Sequence, residues 1–361
     1  MAEEPAAPAE SPAPKKEPKK EPEKDPGPSI HVSPSPHLFS GSLTTQRMMV
    51  DVLIGLAPVV AMAVWVFKWY AVKQLGLCII ACMVFEAIFA GIRSRKATLG
   101  DCSALVTGVI LALSLPWSAP WHVAVIASGA AIGLGKAVFG GLGQNLFNPA
   151  MVGRAFVMIS FAGALGGSAY VADAKLIDIE ILTQATPLTT AKMTSPDGIP
   201  SLWALFVGQC NGSLGEVSAV ACLLGGLYLC LRRTASWEIP LGVLLPVALF
   251  GALASGLSGS DPALPILKLT ALQHLLSGAV LFGAFFIATD PVSSPLTPKG
   301  KFAFGLGIGV LIMVLRLFSS YPEGVMFAVL LMNAVTPLLN RWTIPTPVGG
   351  PMPPPKPAPK A

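Results

Sequence analysis

The 361-residue sequence has a formal net charge of +5, and its length alone would suggest two or three soluble domains. Its composition excludes that class, because hydrophobic residues make up 53% of the chain and charged residues only 12%, about half the charged fraction of a soluble domain. With a mean hydropathy of +0.66, the sequence predicts an integral membrane protein, and we expect no binding to nucleic acid.

Residues 1–36 are the first segment in chain order and are rich in Pro, Glu, Lys and Ala without apolar periodicity. Such a segment buries too little apolar surface to offset the entropy of ordering, so we predict a disordered cytoplasmic tail. No apolar stretch follows Met1 closely, so we expect no cleavable signal peptide. A second, Pro-rich tail is predicted at residues 345–361, which leaves residues 37–344 as the transmembrane domain.

Ten apolar segments follow the tail, each near the length of about 20 residues that a helix needs to cross a bilayer. They cover residues 49–69, 74–92, 102–118, 121–140, 152–171, 214–231, 238–258, 269–289, 302–320 and 324–340. Lipid requires the backbone polar groups to be satisfied within each segment, which favours helices. The predicted fold class is therefore an all-α polytopic membrane protein with about ten transmembrane helices.

The distribution of cations predicts the orientation of these helices. With the amino terminus in the cytoplasm, the outer loops contain only four cations, while the inner loops contain Arg47, Arg93, Arg95, Lys96, Arg232, Arg233, Lys299, Lys301 and Arg341. Because positive residues are retained on the cytoplasmic side, both termini are predicted to be cytoplasmic. The long loop 172–213 then lies outside the cytoplasm.

Two apolar runs resemble each other and suggest an internal repeat. Leu105–Leu111 matches Leu275–Leu281, and the runs fall on the third and eighth predicted helices. Because five is an odd number of crossings, a five-plus-five repeat would be inverted. Inverted repeats with interrupted helices are typical of transporters that bind their substrate near the middle of the membrane.

Glu86, Lys136 and Arg316 fall well inside predicted spans. Glu86 and Lys136 are expected to pair, and an ion pathway and a purely structural pair are equally consistent with the sequence. Arg316 is expected to reach toward the outer interface. Outside the spans, Cys210 is the one cysteine that looks exposed.

Several polar residues lie beside predicted helix ends. Asp101, Asn145, Asn148 and Asp290 accompany Gly and Pro residues that permit unusual backbone geometry. They suit a flavin ring or an ion held at helix termini. The alternative is that they only cap helices and form turns without a ligand.

The outer loop contains Glu180, Thr183 and Thr186, and Thr186 lies between Ala185 and Pro187. A residue before proline prefers extended backbone, which would present the Thr186 hydroxyl outward for covalent modification. Taken alone, this pattern has little specificity.

Several segments together resemble a known family. They are Ser35–Leu38, Arg47–Met49, Asp101–Gly108, Asn145–Arg154, Ala185–Leu188 and Ala288–Pro291. In this order they are similar to the family that comprises the D subunit of Rnf ion-translocating electron-transport complexes (RnfD) and the B subunit of sodium-pumping NADH:quinone reductase (NqrB). The resemblance covers residues 35–341. The modest length of the chain and its lack of insertions favour the Rnf type.

The resemblance implies a covalent cofactor. In that family a flavin transferase attaches FMN through its phosphate to the last threonine of an acidic-x-x-Ser/Thr-Gly-Ala-Thr motif. Carried over, Glu180 is the acidic position, Thr183 the hydroxyl position and Thr186 the acceptor. Glu180 replaces the more usual Asp, and Gln184 replaces a small residue. A second, non-covalent flavin, such as riboflavin, is implied near Asn145 and Asn148.

The resemblance also implies a function and partners. The chain would relay electrons between ferredoxin and NAD, coupled to Na⁺ or H⁺ transport, in a bacterial inner membrane. It would not be catalytic alone and would assemble with the A, B, C, E and G subunits, especially the outer-face flavoprotein. The alternatives are an NqrB-like component of a quinone reductase, a secondary transporter or channel without a redox cofactor, and a purely structural component of the complex.

Overall fold

The computed structural model describes residues 44–93, 99–165, 186–193, 200–257, 265–319 and 323–344. Both predicted tails, Glu180 and Thr183 lie outside these ranges. Every regular element in the described residues is helical, apart from an isolated bridge between Pro116 and Ser213. The all-α class predicted from the sequence is therefore confirmed for this part of the chain.

The helices differ widely in length along the chain. In order they are α1 (Thr45–Phe67), α2 (Trp69–Ile92), α3 (Ser103–Ser114), α4 (Trp121–Ile132), α5 (Pro149–Ser160), α6 (Ala162–Leu165), α7 (Pro187–Met193), α8 (Leu202–Val207), α9 (Ala219–Leu231), α10 (Glu238–Leu257), α11 (Ala271–Leu276), α12 (Val280–Phe282), α13 (Pro298–Phe318) and α14 (Val325–Trp342). Short 3₁₀ turns cover Leu99–Asp101 and Pro265–Lys268, and π turns cover Gly133–Ala137 and Gly283–Ile287.

Five of the described helices, α1, α2, α10, α13 and α14, are long and apolar enough to cross a membrane. They support the prediction of a multi-pass membrane protein. The prediction of about ten transmembrane helices is not confirmed in full, because the other five predicted segments form shorter or interrupted helices where the structure describes them. Thus α3 and α5 have 12 residues each and α9 has 13.

Proline, serine and glycine account for the shortened helices. Helix α3 ends at Ser114 because Leu115, which precedes Pro116, is extended. Helix α9 begins only at Ala219, where the Ser218 side chain accepts the Ala221 amide. The eighth predicted segment breaks after α11, where Gly278 has a φ of +69°.

The two sequence runs that suggested an internal repeat do not have the same structure. The run 105–111 lies wholly inside α3, whereas the run 275–281 contains the break between α11 and α12. A different similarity is present instead. In both halves a helix passes into a π turn, and a loop then leads to a helix that begins with proline, α5 in one half and α13 in the other.

Small residues allow the long helices to pack closely. A Cβ atom added at Gly55 on α1 would meet Leu229 and the Gly225 carbonyl of α9, and one added at Gly242 on α10 would meet the Phe302 carbonyl of α13. Close backbone approach at glycine is the usual basis of helix association in membranes. These crossings position the helix ends around which the cavities of the protein form.

Helix α13 has 21 residues and is therefore about 30 Å long. Because it runs along the bundle, its first and last turns define the two ends. Its first turn lies beside the loop that follows α9, where Lys301 donates to the Ser236 hydroxyl at 2.5 Å. Thr234 of that loop bonds Asp51 in the first half of α1 at 3.1 Å. We call this the amino-terminal end of the bundle.

The far end of α13 contacts α7. Leu317 packs against the cluster of Leu188, Ala191, Ile266 and Leu269, and Lys192 of α7 donates to the Ser319 carbonyl at 2.6 Å. We call this the Thr186 end. Thr186 and the start of α1 therefore lie at opposite ends of the bundle.

Candidate functional site

A cavity opens at the amino-terminal end of the bundle. Its walls come from the start of α1, from α3, from the loop before α5 and from the segment after the second π turn. It brings together four of the predicted site residues, namely Lys136, Asn145, Asn148 and Asp290. Most of the remaining wall is apolar, as in sites that hold a planar organic ligand.

Asn148 caps α5. Its Oδ1 accepts the Ala150 and Met151 amides at 3.0 and 3.4 Å, and Pro149 occupies the first helical position. Its Nδ2 donates to the Ile287 carbonyl at 3.2 Å, which joins the cap to the second π turn. The capping role predicted as an alternative for this residue is therefore present, although Asn148 also lines the cavity.

Asn145 differs from Asn148 in having an unused oxygen. Its Nδ2 donates to the Phe147 carbonyl at 3.1 Å, but its buried Oδ1 has no hydrogen-bond partner among the described residues. Buried polar atoms are nearly always hydrogen-bonded. A ligand with an N–H or O–H group in the cavity would supply the missing donor.

Asp290 also lines this cavity. Its carboxylate accepts the Ser293 hydroxyl at 2.8 Å and the Val292 amide at 3.5 Å. These bonds hold the turn after the second π turn, so Asp290 has a structural role and still lies on the wall of the cavity.

Glu86, Lys136 and Asp101 belong to one buried network. Lys136 Nζ lies 2.8 Å from Glu86 Oε1 and donates to Ser103 Oγ at 2.6 Å. Ser103 Oγ in turn donates to Asp101 Oδ1 at 2.7 Å. The expected pairing of Glu86 with Lys136 is present, and Asp101 is connected to it through Ser103.

The network separates two cavities. Lys136 lines the cavity at the amino-terminal end and also a neighbouring cavity, which Glu86, Arg93 and Asp101 line as well. Lys136 projects from the first π turn, and Arg93 donates to the Ala137 carbonyl at the end of that turn. The ammonium group thus lies in the partition between the two spaces.

Thr186 lies on a third, small cavity at the opposite end of the bundle. Its Oγ1 is 2.7 Å from Thr189 Oγ1 and accepts the Thr189 amide at 3.3 Å. The expectation that this hydroxyl is exposed is wrong, because Thr186 is only 9% exposed. The sequence Thr-Pro-Leu-Thr indicates a threonine N-cap with proline at the first helical position, a signal that the sequence reasoning missed.

Two carboxylates on the Thr186 cavity were not singled out from the sequence. Glu216 lies in the non-helical segment before α9, and Glu323 lies just before α14. Both side chains line this cavity and interact electrostatically with each other, and Arg154 Nη2 lies 3.5 Å from Glu323 Oε2. The available signal was the presence of charged residues at the edges of apolar segments.

Arg316 was expected to reach toward the outer interface, but it is fully buried. It donates to the His274 and Ser277 carbonyls at 2.6 and 2.7 Å. The break after α11 leaves these carbonyls without helical partners, and the guanidinium satisfies them. Cys210, which was expected to be exposed, is also buried, and its Sγ contacts the Val217 carbonyl at 3.5 Å.

Known proteins resemble this chain over most of its length. Residues 31–349 match the model of the NQR2, RnfD, RnfE family. The chain is 41% identical over 317 residues to the D subunit of the Na⁺-translocating ferredoxin:NAD⁺ oxidoreductase complex of Acetobacterium woodii, covering 87% of this chain and 94% of that protein.

Two further relatives give the same result. The D subunit of the ion-translocating oxidoreductase complex of Ectopseudomonas mendocina is 39% identical over 330 residues, covering 87% of this chain and 94% of the relative. The D subunit of the proton-translocating ferredoxin:NAD⁺ oxidoreductase complex of Clostridium ljungdahlii is 36% identical over 326 residues, covering 88% and 96%. The chain therefore belongs to the NQR2, RnfD, RnfE family.

Proposed function

We propose that this chain is the D subunit of an ion-translocating oxidoreductase complex that passes electrons between ferredoxin and NAD. The names and near-complete coverage of the relatives support this proposal. The relatives include one named for Na⁺ and one named for H⁺, so the proposal covers transport of either ion. The chain would act with the other membrane and peripheral components, the A, B, C, E and G subunits, and not alone.

We further propose that Thr186 carries FMN as a phosphoester made by a flavin transferase. The observation that carries this proposal is the place of the Thr186 hydroxyl on a cavity at the end of the bundle opposite the start of α1. When bound, FMN would supply the redox chemistry. The backbone amide of Thr189, which already donates to the Thr186 hydroxyl, would remain beside the esterified oxygen.

The orientation belongs to the same proposal. The described residues Arg47, Arg232, Lys299, Lys301 and Arg341 all lie near helix termini at the amino-terminal end of the bundle. Positive residues of this kind favour the cytoplasmic side. In a bacterial inner membrane, the Thr186 end would then face outward, toward the outer-face flavoprotein of the complex.

The amino-terminal cavity is proposed to bind a second, non-covalent flavin such as riboflavin. Its apolar walls suit a planar ring, and the unpaired Asn145 oxygen suits a ring N–H. Asn148 and Asp290 would shape the adjoining turns. The network of Glu86, Lys136 and Asp101 is proposed to lie on an ion pathway, because it separates two cavities at this end.

In-gel flavin fluorescence after denaturation tests the covalent attachment. We expect a fluorescent band in the wild type and in Thr189→Val, and loss of the band in Thr186→Val. Thr189 is the matched control because its hydroxyl lies only 2.7 Å from that of Thr186. A band that persists in Thr186→Val, with an unmodified Thr186 peptide in mass spectrometry of the wild type, would refute the assignment.

The same samples separate the other classes of function. A dark wild-type band in a protein that still takes up a solute would indicate a secondary transporter or channel. A dark band in a protein whose loss prevents assembly of the complex would indicate a structural component.

A further inference from the structure

The segment that carries Glu216 is held rigidly although it is not helical. The Gly215 amide donates to the Leu113 carbonyl at 2.7 Å, and the Ser213 amide donates to Glu216 Oε1 at 3.2 Å. The thiols of Cys210 and Cys222 contact the Val217 and Gly215 carbonyls at 3.5 and 3.4 Å. The Glu216 carboxyl is therefore fixed against the end of α3.

Glu323 approaches the same cavity from the other side. It precedes the N-cap of α14, and its Oε1 lies 3.0 Å from the position that a Cβ atom at Gly278 would take. Its carboxyl group lines the same cavity as that of Glu216, and the two groups interact electrostatically. Two ionised carboxylates on one buried cavity would repel each other, and one proton held between them removes that repulsion.

Cations surround the pair of carboxyl groups. Arg154 contacts Glu323, and Arg316 interacts electrostatically with both carboxyl groups. The charged and titratable groups that interact with the pair are Arg154 from α5, Arg316 from α13, and the thiols of Cys210 and Cys222. Lys192 from α7 and His274 from α11 interact with Arg316 and not with the pair directly. The arginines favour one ionised carboxylate.

We propose that Glu216 and Glu323 form a proton-binding site, in which two carboxyl groups share one exchangeable proton on the wall of the cavity that contains Thr186. The neighbouring guanidinium groups disfavour a metal cation at the same place, because it would be repelled by two fixed positive charges. Burial and the negative charge of Glu323 raise the pKa of Glu216 well above its ordinary value, in agreement with a retained proton.

The pair has a consequence for the proposed cofactor, and this step alone rests on the proposed function. A phosphoester at Thr186 would add a negative charge to a cavity that already contains two carboxyl groups. Holding a proton removes one of their negative charges, and release or uptake of that proton would compensate changes of charge at Thr186.

Infrared spectroscopy of the flavin-free Thr186→Val chain tests the site. We expect a protonated-carboxyl stretching band at neutral pH that shifts in D₂O and disappears on alkaline titration. Glu216→Gln should remove this band. Glu323→Gln should lower the proton affinity of the remaining carboxyl about tenfold or more, because the like charge is gone.

Glu238→Gln is the control, since Glu238 begins α10 at the amino-terminal end, and it should leave the band unchanged. A band that survives Glu216→Gln, or a titration that Glu323→Gln does not shift, would overturn the proposal. If the Glu216→Gln variant does not accumulate in the membrane, the shift of the titration in Glu323→Gln tests the proposal by itself.

Replacing choline chloride by NaCl in the buffer at constant pH should not change the protonated-carboxyl band. A loss specific to Na⁺ would assign the pair to sodium and overturn a proton site. Because the chain in this experiment carries no flavin at Thr186, its result is independent of the in-gel test of attachment.

Discussion

The buried ion pair of Glu86 and Lys136 shows how individual side chains are stabilised inside this bundle. Their side chains are 11% and 4% exposed, and the Nζ–Oε1 distance is 2.8 Å. Removing both charges from water is costly, so the pair is weak evidence for stability as such. Removing one partner, however, would leave the other charge buried without compensation.

We therefore predict that Lys136→Met destabilises the protein by about 3–5 kcal/mol and that the double variant Glu86→Gln/Lys136→Met restores much of the loss. Thermal unfolding in detergent micelles measures both changes. The matched control is Arg232→Ala, which removes a half-exposed partner of Asp51 and should cost about 1 kcal/mol or less. Equal losses in the two single variants would contradict the prediction.

The carboxyl pair at the Thr186 end predicts a pH dependence of stability. Because burial raises the pKa of Glu216 in the folded protein, the folded state keeps a proton that the unfolded chain releases at lower pH. Stability should therefore fall as pH rises above the ordinary carboxyl range. Glu216→Gln should flatten this slope in melting experiments between about pH 5 and 9, whereas Glu238→Gln should keep it. A wild-type slope in Glu216→Gln would contradict the prediction.

At the scale of elements, interrupted helices create the cavities of this protein. The break after α11 and the two π turns expose backbone groups that a continuous helix would use internally. Side chains from other helices replace the missing partners, as Arg316 and Asn148 do with the carbonyls of Ser277 and Ile287. The cavities therefore lie at the ends of short helices, while the long helices form the surrounding wall.

The crossing of α1 and α9 gives a prediction at this scale. A Cβ atom at Gly225 would collide with the Gly55 carbonyl and with Phe286, whereas one at Gly76 on α2 would meet nothing within 4 Å. We predict that Gly225→Ala costs about 1–3 kcal/mol through overpacking. Gly76→Ala should be neutral or slightly stabilising. Melting temperatures of the two variants in the same detergent provide the comparison, and similar values would argue against a close crossing.

At the scale of the whole molecule, the bundle has two chemically different ends. The amino-terminal end contains most of the cations near helix termini and the two larger cavities, while the Thr186 end contains the smaller cavity with its carboxyl pair. Charge asymmetry of this kind predicts one orientation in the membrane.

Thiol labelling in intact cells tests this orientation. In a background lacking Cys102 and Cys230, which are partly exposed, exposed Ser201 and Lys299 are replaced singly by cysteine. We expect a membrane-impermeant reagent to label Ser201→Cys, beside the Thr186 end, in intact cells. Lys299→Cys should be labelled only after lysis. The reverse pattern would invert the topology and place Thr186 on the cytoplasmic side.

The sequence by itself determined the membrane class, the helical character, the pairing partners Glu86 and Lys136, and the family. These properties follow from composition, from the length of apolar runs and from motifs that are local in the chain. It also placed Asn145, Asn148 and Asp290 near helix ends, where the structure has them.

Only the tertiary structure decided which helices are interrupted, that Thr186 is a buried N-cap, and that Glu216 meets Glu323. Hydropathy cannot distinguish a continuous helix from a broken one when distant groups, such as the Arg316 guanidinium at the Ser277 carbonyl, satisfy the break. Glu216 and Glu323 are far apart in the chain, and only the packing of the segment before α9 against the end of α3 brings them to one cavity.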